Sequence, residues 1–346
     1  MKFKNVGQWA PPKNWLKVST IDTHTAGEPL RIILDGLPKI HGDTILDKRK
    51  FMKENLDHLR TALMFEPRGH ADMYGCVVTP PVSDNADFGV IFTHNEGYST
   101  MCGHGIIALT KVAVQSGIVT KSKPVTVIRI DTPAGLVTSY AIIKGDEIDR
   151  IYFHNVPSYV LTLNQNVEVA GLGSVNFDIA FGGAYYAFVD ADKLGISMTE
   201  NNFRLLIEKG IAIKKTVMEN FDIKHPYEKD LNFLYGTIFT GAPLKKENHS
   251  RNVCVFADGE VDRSPTGTGV SARLALHYAK KEIGVNDPIV IESIIGSEFT
   301  GRVAETTKFA DYDAVIPEVE GNAFITGKHE FIIDPKDPLK NGFILR

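Results

Sequence analysis

Two stretches of the chain decide the fold: "STMCGHGIIALTKVAVQSG" at 99–117 and "RSPTGTGVSARLALHYAKK" at 263–281. Each passes through Gly-x-Gly into a long apolar run. Cys102 in the first stretch aligns with Thr266 in the second, 164 positions later, and the glycines that follow them align as well. This repeat predicts an internal duplication in which each half contains one helix that begins at Gly-x-Gly.

Both helices are apolar on nearly every side. The apolar positions are Ile106, Ile107, Ala108, Leu109, Val112, Ala113 and Val114 in the first helix, and Val270, Ala272, Leu274, Ala275, Leu276 and Tyr278 in the second. A helix with no polar face has to be buried. We therefore expect a sheet to curl around each of them.

The rest of the chain is mostly strand. Short β-branched runs bounded by Gly, Pro, Asn or Asp predict strands, among them "YGCVVT", "FGVIFT", "VTVIRI", "GLVTSYAII", "IDRIYFHNV", "VNFDIAF", "YYAFVD", "YGTIFTGAP" and "NVCVFADGEV". Charged amphipathic helices are predicted over 45–66 and 198–220. Strands and helices do not alternate strictly, which disfavours a doubly wound parallel sheet and leaves an α/β (α+β) fold with two similar halves.

The amino-acid composition and net charge exclude several classes of function. The 346 residues include 43% hydrophobic and 23% charged residues, and the formal net charge is −4. The length favours two domains. The chain has no basic run, so we expect a small-molecule partner, with no nucleic acid and no membrane. Three cysteines are too few for a disulfide framework and lack zinc spacing, which indicates a reducing, cytoplasmic location.

The paired helix starts have chemical consequences. A helix N-terminus presents unpaired N–H groups and partial positive charge, and glycine lets a ligand approach that backbone. Two such termini facing each other would hold a carboxylate. The same field is expected to lower the pKa of the Cys102 thiol from about 8.5, which would make it a base or a nucleophile.

Two other interpretations remain open at this point. Cys102 and His104 are also compatible with buried structural roles, and Asp262 with a turn cap. Dinucleotide binding is the second, because "GTGVSA" at 267–272 fits G-x-G-x-x-A and Glu292 follows about 20 residues later. The equal match of "GHGIIA" at 103–108 and the insertion of "GEVDRSP" between strand and glycines weaken it.

The chain resembles the proline racemase superfamily along nearly its whole length. The resemblance rests on "DTHTAGEPLRI" from Asp22, "EPRGHADMYG" from Glu66, "NEGYSTMCGHG" from Asn95, "FGGAYYAFVD" from Phe181, "IFTGAP" from Ile238 and "DRSPTGTGVSAR" from Asp262. It implies two pseudo-symmetric domains similar to those of diaminopimelate epimerase, each a curled, mostly antiparallel sheet around a buried helix. We assign residues 1–156 to the first domain, with 335–346 returning to it, and 157–334 to the second.

The resemblance also implies roles for particular residues. Cys102 would be one of two catalytic positions, and Gly103, His104, Gly267 and Thr268 would donate N–H groups to the substrate carboxylate. His104 and Asp262 would contact the ring amine. Thr266 stands where a racemase of this family carries its second cysteine.

Threonine at 266 changes the expected reaction. Racemisation needs a base on one face and an acid on the other, both titrating near the working pH, and a threonine hydroxyl cannot serve. The Cys/Thr pair looks like that of the trans-3-hydroxy-L-proline dehydratase branch, which implies a cofactor-independent hydro-lyase without metal and a possible homodimer. The alternatives are 4-hydroxyproline 2-epimerase or proline racemase activity with an atypical second acid, or a non-catalytic binder of proline analogues.

Overall fold

The computed structural model describes residues 9–345, so residues 1–8 and 346 of the expected first domain lie outside the described residues. Its strands are β1 (Leu16–Thr25), β2 (Glu28–Asp35), β3 (Tyr74–Thr79), β4 (Phe88–His94), β5 (Val125–Thr132), β6 (Gly135–Lys144), β7 (Glu147–His154), β8 (Ser158–Val169), β9 (Gly173–Phe181), β10 (Tyr185–Asp190), β11 (Leu234–Gly241), β12 (Ser250–Phe256), β13 (Glu260–Val261), β14 (Ile289–Glu292), β15 (Glu298–Phe309), β16 (Tyr312–Gly321) and β17 (Ala323–Ile333). The α-helices are α1 (Ile45–Asn55), α2 (Asp57–Met64), α3 (Gly103–Ser116), α4 (Phe203–Asn220) and α5 (Gly267–Ala279).

In the first half the strands pair in the order β17, β1, β2, β3, β4, β5, β6, β7. The pairs β2–β3 and β4–β5 are parallel, because α1 and α2 join the first pair and α3 joins the second; the other pairs are antiparallel. Strand β7 then pairs with residues 318–321 at the end of β16, from which the chain runs into β17. The sheet thus curls around α3.

The second half repeats this pairing. Its strands follow the order β8, β9, β10, β11, β12, β14, β15, β16, and the start of β16 pairs back onto β8. The parallel pairs are again the third and the fifth, β10–β11 and β12–β14, joined by α4 and α5. The predicted fold of two similar, mostly antiparallel sheets, each curled around a buried helix, is confirmed.

The two central helices are buried as predicted. From Gly103 to Thr110, α3 has no exposed residue, and α5 is buried from Gly267 to Leu276. The exception is Tyr278, which is only partly buried near the end of α5. Glycine forms the left-handed end of α3, where Gly117 has φ 78°.

Strand β17 pairs with the sheet of the first half. The sequence division placed residues 323–333 in the second half, but β17 pairs with β1 along its whole length. The following segment also contacts the first half, since the N–H of Phe343 donates to the carbonyl of Glu66. We propose a division in which the return to the first half begins at Ala323 rather than at residue 335.

The amphipathic segment after β2 forms two helices instead of one. Helix α1 begins with a capping box in which Thr44 and Asp47 bond reciprocally. It ends at Asn55, and the next residue, Leu56, has a φ of −126°, which is not helical, and a buried side chain. The hydrophobic spacing alone predicts a continuous helix, because a change in the backbone angles of one residue leaves that spacing intact.

Candidate active site

The two helix starts touch each other at the junction of the halves. A Cβ atom placed on Gly103 would lie 2.6 Å from the Cα of Gly267, and one placed on Gly267 would lie 2.7 Å from the Cα of Gly103. Any larger residue at either position would push the helices apart. The N–H groups at the starts of α3 and α5 are therefore brought together, as the repeat predicts.

Cys102 occupies the cap position of α3. Its Sγ accepts a hydrogen bond of 3.2 Å from the N–H of Gly105 and lies 3.3 Å from Nδ1 of His104. A Cβ at position 105 would come within 2.9 Å of that sulfur, so glycine is required for this approach. Residue Cys102 is 4% exposed, so its thiol is a buried group at a helix N-terminus.

The expected lowering of the Cys102 pKa is wrong for this structure. Burial raises the pKa of the thiol well above its usual value, and the Gly105 N–H only partly offsets this. The charge of Asp262 raises the pKa further, whereas the hydroxyl of Tyr74 lowers it. Desolvation outweighs the helix terminus, so the thiolate needs additional stabilisation before Cys102 can act as a base.

His104 lies beside the thiol, and the charge of Asp262 acts on both groups. Burial lowers the pKa of His104, which favours the neutral imidazole, and the backbone of Pro29 only partly offsets this shift. The negative charge of Asp262 opposes that shift, and it also raises the pKa of Cys102. One oxygen of Asp262 accepts the N–H of Ser264 at 2.7 Å.

Thr266 differs from its counterpart Cys102. Its φ is 65°, a left-handed conformation that is unusual for a β-branched residue, and its side chain does not cap α5. The hydroxyl faces the thiol of Cys254, whose pKa burial raises and the Thr266 hydroxyl partly lowers. Oγ1 nevertheless makes no well-formed hydrogen bond to any of residues 9–345, although it is buried. A buried hydroxyl left in this state is available to a ligand.

Thr268 has a partner that sequence reasoning missed. Its hydroxyl lies 2.6 Å from that of Tyr186, and both side chains are buried. Burial raises the pKa of Tyr186 well above its usual value, and negative charge on Cys254, Asp262 or Cys102 would raise it further. Tyr186 remains a neutral hydrogen-bonding group.

Three further hydroxyls form a cluster beside His104. Tyr74 Oη bonds Ser99 Oγ and lies 3.4 Å from Tyr235 Oη. The ring of Tyr74 packs edge-on against His104, with centroids 4.9 Å apart. The repeated Tyr-Gly pairs at 74–75 and 235–236, in corresponding strands of the two halves, are the sequence signal that could have identified these tyrosines.

Two acidic residues of the first half are hydrogen-bonded to one arginine of the second half across their junction. Glu28 accepts the N–H of Arg263 at 2.7 Å, and the guanidinium of Arg263 bonds Asp72 at 2.8 Å. Glu28 is fully buried, and its Oε1 has no hydrogen-bond partner among the described residues. Burial, and then the charge of Asp262, raise the pKa of Glu28 well above its usual value.

The structure argues against the dinucleotide hypothesis. Glu292, the expected ribose ligand, instead accepts bonds from the N–H groups of Leu244 and Lys245 and from Asn248. Within residues 9–345, no group of three or more His, Cys, Asp or Glu side chains could hold a metal ion. In the same range no helix is long and apolar enough to cross a membrane.

A buried thiol between two helix N-termini, in a duplicated sheet-and-helix fold, defines a class of enzymes that act on small carboxylates. The chain belongs to the proline racemase family, whose model matches residues 20–344. It is 51% identical to a trans-3-hydroxy-L-proline dehydratase of Colwellia psychrerythraea, over 98% of this chain and 96% of that protein. A protein of the same name from Bacillus cereus is 46% identical, over 94% and 98%. The structure of a hydroxyproline epimerase from Agrobacterium vitis with bound trans-4-hydroxy-L-proline superposes with a TM-score of 0.89, at 31% identity, over 95% of this chain and 96% of that one.

Proposed function

We propose that this enzyme dehydrates trans-3-hydroxy-L-proline to 1-pyrroline-2-carboxylate. The observation that carries the proposal is the pair of residues at the two touching helix starts, a thiol at Cys102 and a hydroxyl at Thr266. This pair provides one base, not two. Relatives that are 46% and 51% identical and carry the name of this activity support the same function.

The substrate would be held by both halves. The N–H groups of Gly103 and His104 on α3, and of Gly267 and Thr268 on α5, would bind its carboxylate, because the termini combine free donors with positive helix dipoles. Asp262 would bind the ring ammonium, and neutral His104 would contact the same amine. The close contact of Gly103 with Gly267 supports a single carboxylate between the two termini.

The reaction then needs only one thiol. In trans-3-hydroxy-L-proline the α-hydrogen and the hydroxyl lie on the same ring face. The Cys102 thiolate takes the α-proton and becomes a thiol, while the electron pair of the broken C–H bond forms a double bond between Cα and C3. The C3–O bond breaks, and the departing hydroxide takes the proton from Cys102 to form water. The thiolate is regenerated, and the enamine product tautomerises to 1-pyrroline-2-carboxylate.

The substrate itself would favour the thiolate. Asp262 is one of the groups that raise the pKa of Cys102. A cationic ring amine bound to Asp262 would offset that negative charge and so lower the pKa of the thiol. The helix termini would also stabilise charge that spreads into the carboxylate as the α-proton leaves.

Thr266 would act as a hydrogen-bonding group and not merely fill space. Its buried Oγ1 makes no well-formed bond within the described part of the chain, which supports a bond to the substrate or to water. A threonine hydroxyl is far too weakly acidic to return a proton to Cα, so inversion of configuration is not expected.

The first test is proton NMR in deuterated water with three separate substrates: trans-3-hydroxy-L-proline, L-proline and trans-4-hydroxy-L-proline. We expect conversion of the 3-hydroxy compound to the pyrroline product and no inversion of the other two. Inversion of L-proline or of the 4-hydroxy compound would identify a racemase or an epimerase with a second acid. Binding of these compounds without any reaction would identify a non-catalytic binder.

Two further predictions concern the setting of the enzyme. Cys76, Cys102 and Cys254 are all free thiols, which supports a reducing, cytoplasmic location. Assembly as a homodimer stays a prediction, which sedimentation at several protein concentrations would test.

A further inference from the structure

We propose that Asn252, held in its orientation by Arg273, is a positioning residue for Thr266 at the start of α5. The geometry of these contacts stands on the structure alone, whereas their effect on turnover rests on the dehydration proposed above. Nothing in the one-thiol reaction itself explains why a guanidinium is buried against this end of the second half.

Thr266 has a backbone conformation that its residue type disfavours. Its φ is 65°, and a β-branched residue keeps a left-handed conformation only where surrounding contacts fix it. Its buried Oγ1 makes no well-formed hydrogen bond within residues 9–345, so its side chain does not supply that contact. The contacts that hold Thr266 therefore act on its backbone.

Both polar atoms of the peptide group between Pro265 and Thr266 are bonded to side chains. The carbonyl of Pro265 accepts a hydrogen bond of 3.0 Å from Nδ2 of Asn252, and the N–H of Thr266 donates to Oγ of Ser264 at 3.1 Å. On the other side of Thr266, its own carbonyl accepts the N–H of Val270 at 2.7 Å. These bonds fix the two peptide planes that flank Thr266, and with them the direction of its side chain.

Arg273 determines which way the amide of Asn252 faces. A guanidinium can only donate, so Oδ1 of Asn252 accepts its bond of 3.0 Å and Nδ2 is left for the carbonyl of Pro265. The same guanidinium donates to Oγ of Ser250 at 2.6 Å and to Nε2 of His277 at 3.0 Å. Asn252 is 0% and Arg273 6% exposed. A reversed amide would leave buried donors and acceptors unpaired, which is costly.

The first half, which carries the thiol, lacks this pair of polar residues. The helix starts align with an offset of 164 positions, so Leu109 in α3 corresponds to Arg273. The strand pairing of the aligned Tyr-Gly motifs makes Gly89 in β4 the counterpart of Asn252. Cys102 needs no such support, because its φ of −145° is extended. The pair is therefore found beside the helix start whose first flanking residue is left-handed.

The direction of the Thr266 side chain matters for the proposed reaction, in which its hydroxyl binds the substrate or a water molecule. A misplacement of about 1 Å in a catalytic site can cost about 100-fold in rate. Loss of one of the bonds to the peptide group is a smaller disturbance, for which we expect a loss of about tenfold.

The test variant is Asn252→Asp, which keeps the size of the side chain and an acceptor for Arg273 but replaces the Nδ2 donor with an oxygen. An aspartate can form an ion pair with Arg273, so the fold should persist while the carbonyl of Pro265 loses its partner. Glu282→Gln is the matched control at the outer end of the same chain of contacts, since Glu282 bonds Nδ1 of His277 and not the peptide group.

The position of Thr266 is measured without substrate, by NMR of protein labelled with carbon-13 in its threonine methyl groups. The Thr266 signal is assigned by its absence in Thr266→Val. In Asn252→Asp this signal should shift by more than its linewidth, whereas in Glu282→Gln it should stay in place. Arg273→Lys, with one ammonium for three acceptors, should also shift it and introduces no new charge, so the inference can be tested even if Asn252→Asp does not fold.

Kinetics with trans-3-hydroxy-L-proline test whether the effect passes through Thr266. We expect Asn252→Asp to lower kcat/KM about tenfold in the wild-type background and to have no further effect in Thr266→Val, because both changes remove the same interaction. Equal losses in the two backgrounds would show a structural role independent of the Thr266 hydroxyl and would overturn the inference.

The outcomes separate this inference from the proposed function. An unchanged Thr266 methyl signal in folded Asn252→Asp, or in Arg273→Lys if the first variant is unfolded, overturns the role of Asn252 whatever the enzyme's substrate. A shifted signal in an enzyme whose wild type does not dehydrate the 3-hydroxy compound supports the role of Asn252 and overturns the proposed reaction.

Discussion

Gly103 and Gly267 are in backbone contact, so the two halves of the molecule meet through the first residues of their central helices. Neither position has room for a Cβ atom, which would lie within 2.7 Å of the opposite Cα. Glycine is needed here for close approach, since neither residue has a positive φ. The contact fixes how far apart the two sets of helix N–H groups lie.

Gly103→Ala should therefore reduce activity strongly. The added methyl group overlaps the backbone of α5 and must separate the helix starts, and a displacement of about 1 Å in a catalytic site can cost about 100-fold in rate. We expect a loss of about that size in kcat/KM for trans-3-hydroxy-L-proline. Gly97→Ala is the control, because a Cβ there meets no atom within 4 Å. Wild-type kinetics in Gly103→Ala would show that the helices need not touch.

Cys102→Ser should abolish turnover without unfolding the protein. A serine alkoxide is not accessible near neutral pH, so the base is lost, and we expect kcat to fall by about 10²–10⁴-fold or more. Circular dichroism should report an unchanged fold. Cys76→Ser is the matched control for a buried thiol in the same half, and it should retain far more activity.

Alkylation gives an independent check of the same base. Iodoacetamide should inactivate the enzyme by modifying Cys102, and pyrrole-2-carboxylate, a planar analogue of the deprotonated ring, should protect it. Inactivation that follows labelling of Cys76 or Cys254 instead, with Cys102 unmodified, would count against the assignment.

Much of the fold follows from the sequence because the duplication is visible in it. The shared Gly-x-Gly starts at Gly103 and Gly267 predict two equivalent buried helices, and the apolar runs predict the strands beside them. The sequence does not predict the helix break at Leu56 or the return of β17 to the first half. One depends on a single residue's backbone angles and the other on pairing between distant segments, and neither leaves a local signal.

The sequence predicted which residues form the site better than it predicted their pKa values. A helix start suggests a thiol of low pKa, but the sequence does not show how completely Cys102 is buried or that the charge of Asp262 raises its pKa. The clustered hydroxyls of Tyr74 and Tyr235 come from strands, not from the helix motifs. Local motifs therefore predict which residues meet, whereas burial determines how they titrate.

Thr266→Val separates a functional hydroxyl from a structural one. Valine has nearly the same shape but no hydroxyl, and removing a buried group with no well-formed bond should leave the free energy of unfolding unchanged or raise it by about 1–3 kcal/mol. If the hydroxyl binds substrate or water, activity should fall at the same time. Urea unfolding and steady-state kinetics on one preparation test both. Full activity in Thr266→Val would mean that the side chain only fills space.

Glu28→Gln should make stability less dependent on pH. Burial, followed by the charge of Asp262, raises the pKa of Glu28 in the folded state well above its unfolded value of about 4.3. Between those two values the folded state holds a proton that the unfolded state releases, so the free energy of unfolding falls as pH rises. Below the unfolded value both states are protonated and no penalty exists. Glutamine removes this loss, and it can still accept the N–H of Arg263.

The measurement is urea unfolding of wild type and Glu28→Gln at several pH values from 4 to 7, and the benefit of the substitution should grow with pH. Glu292→Gln is the control of opposite sign. Burial raises the pKa of Glu292, but hydrogen bonds from Leu244, Lys245 and Asn248 outweigh this and lower it. Its contribution is present above the unfolded pKa and is lost as pH falls, so Glu292→Gln should destabilise the protein most at neutral pH. Parallel pH profiles for wild type and Glu28→Gln would show that folding does not raise the pKa of Glu28.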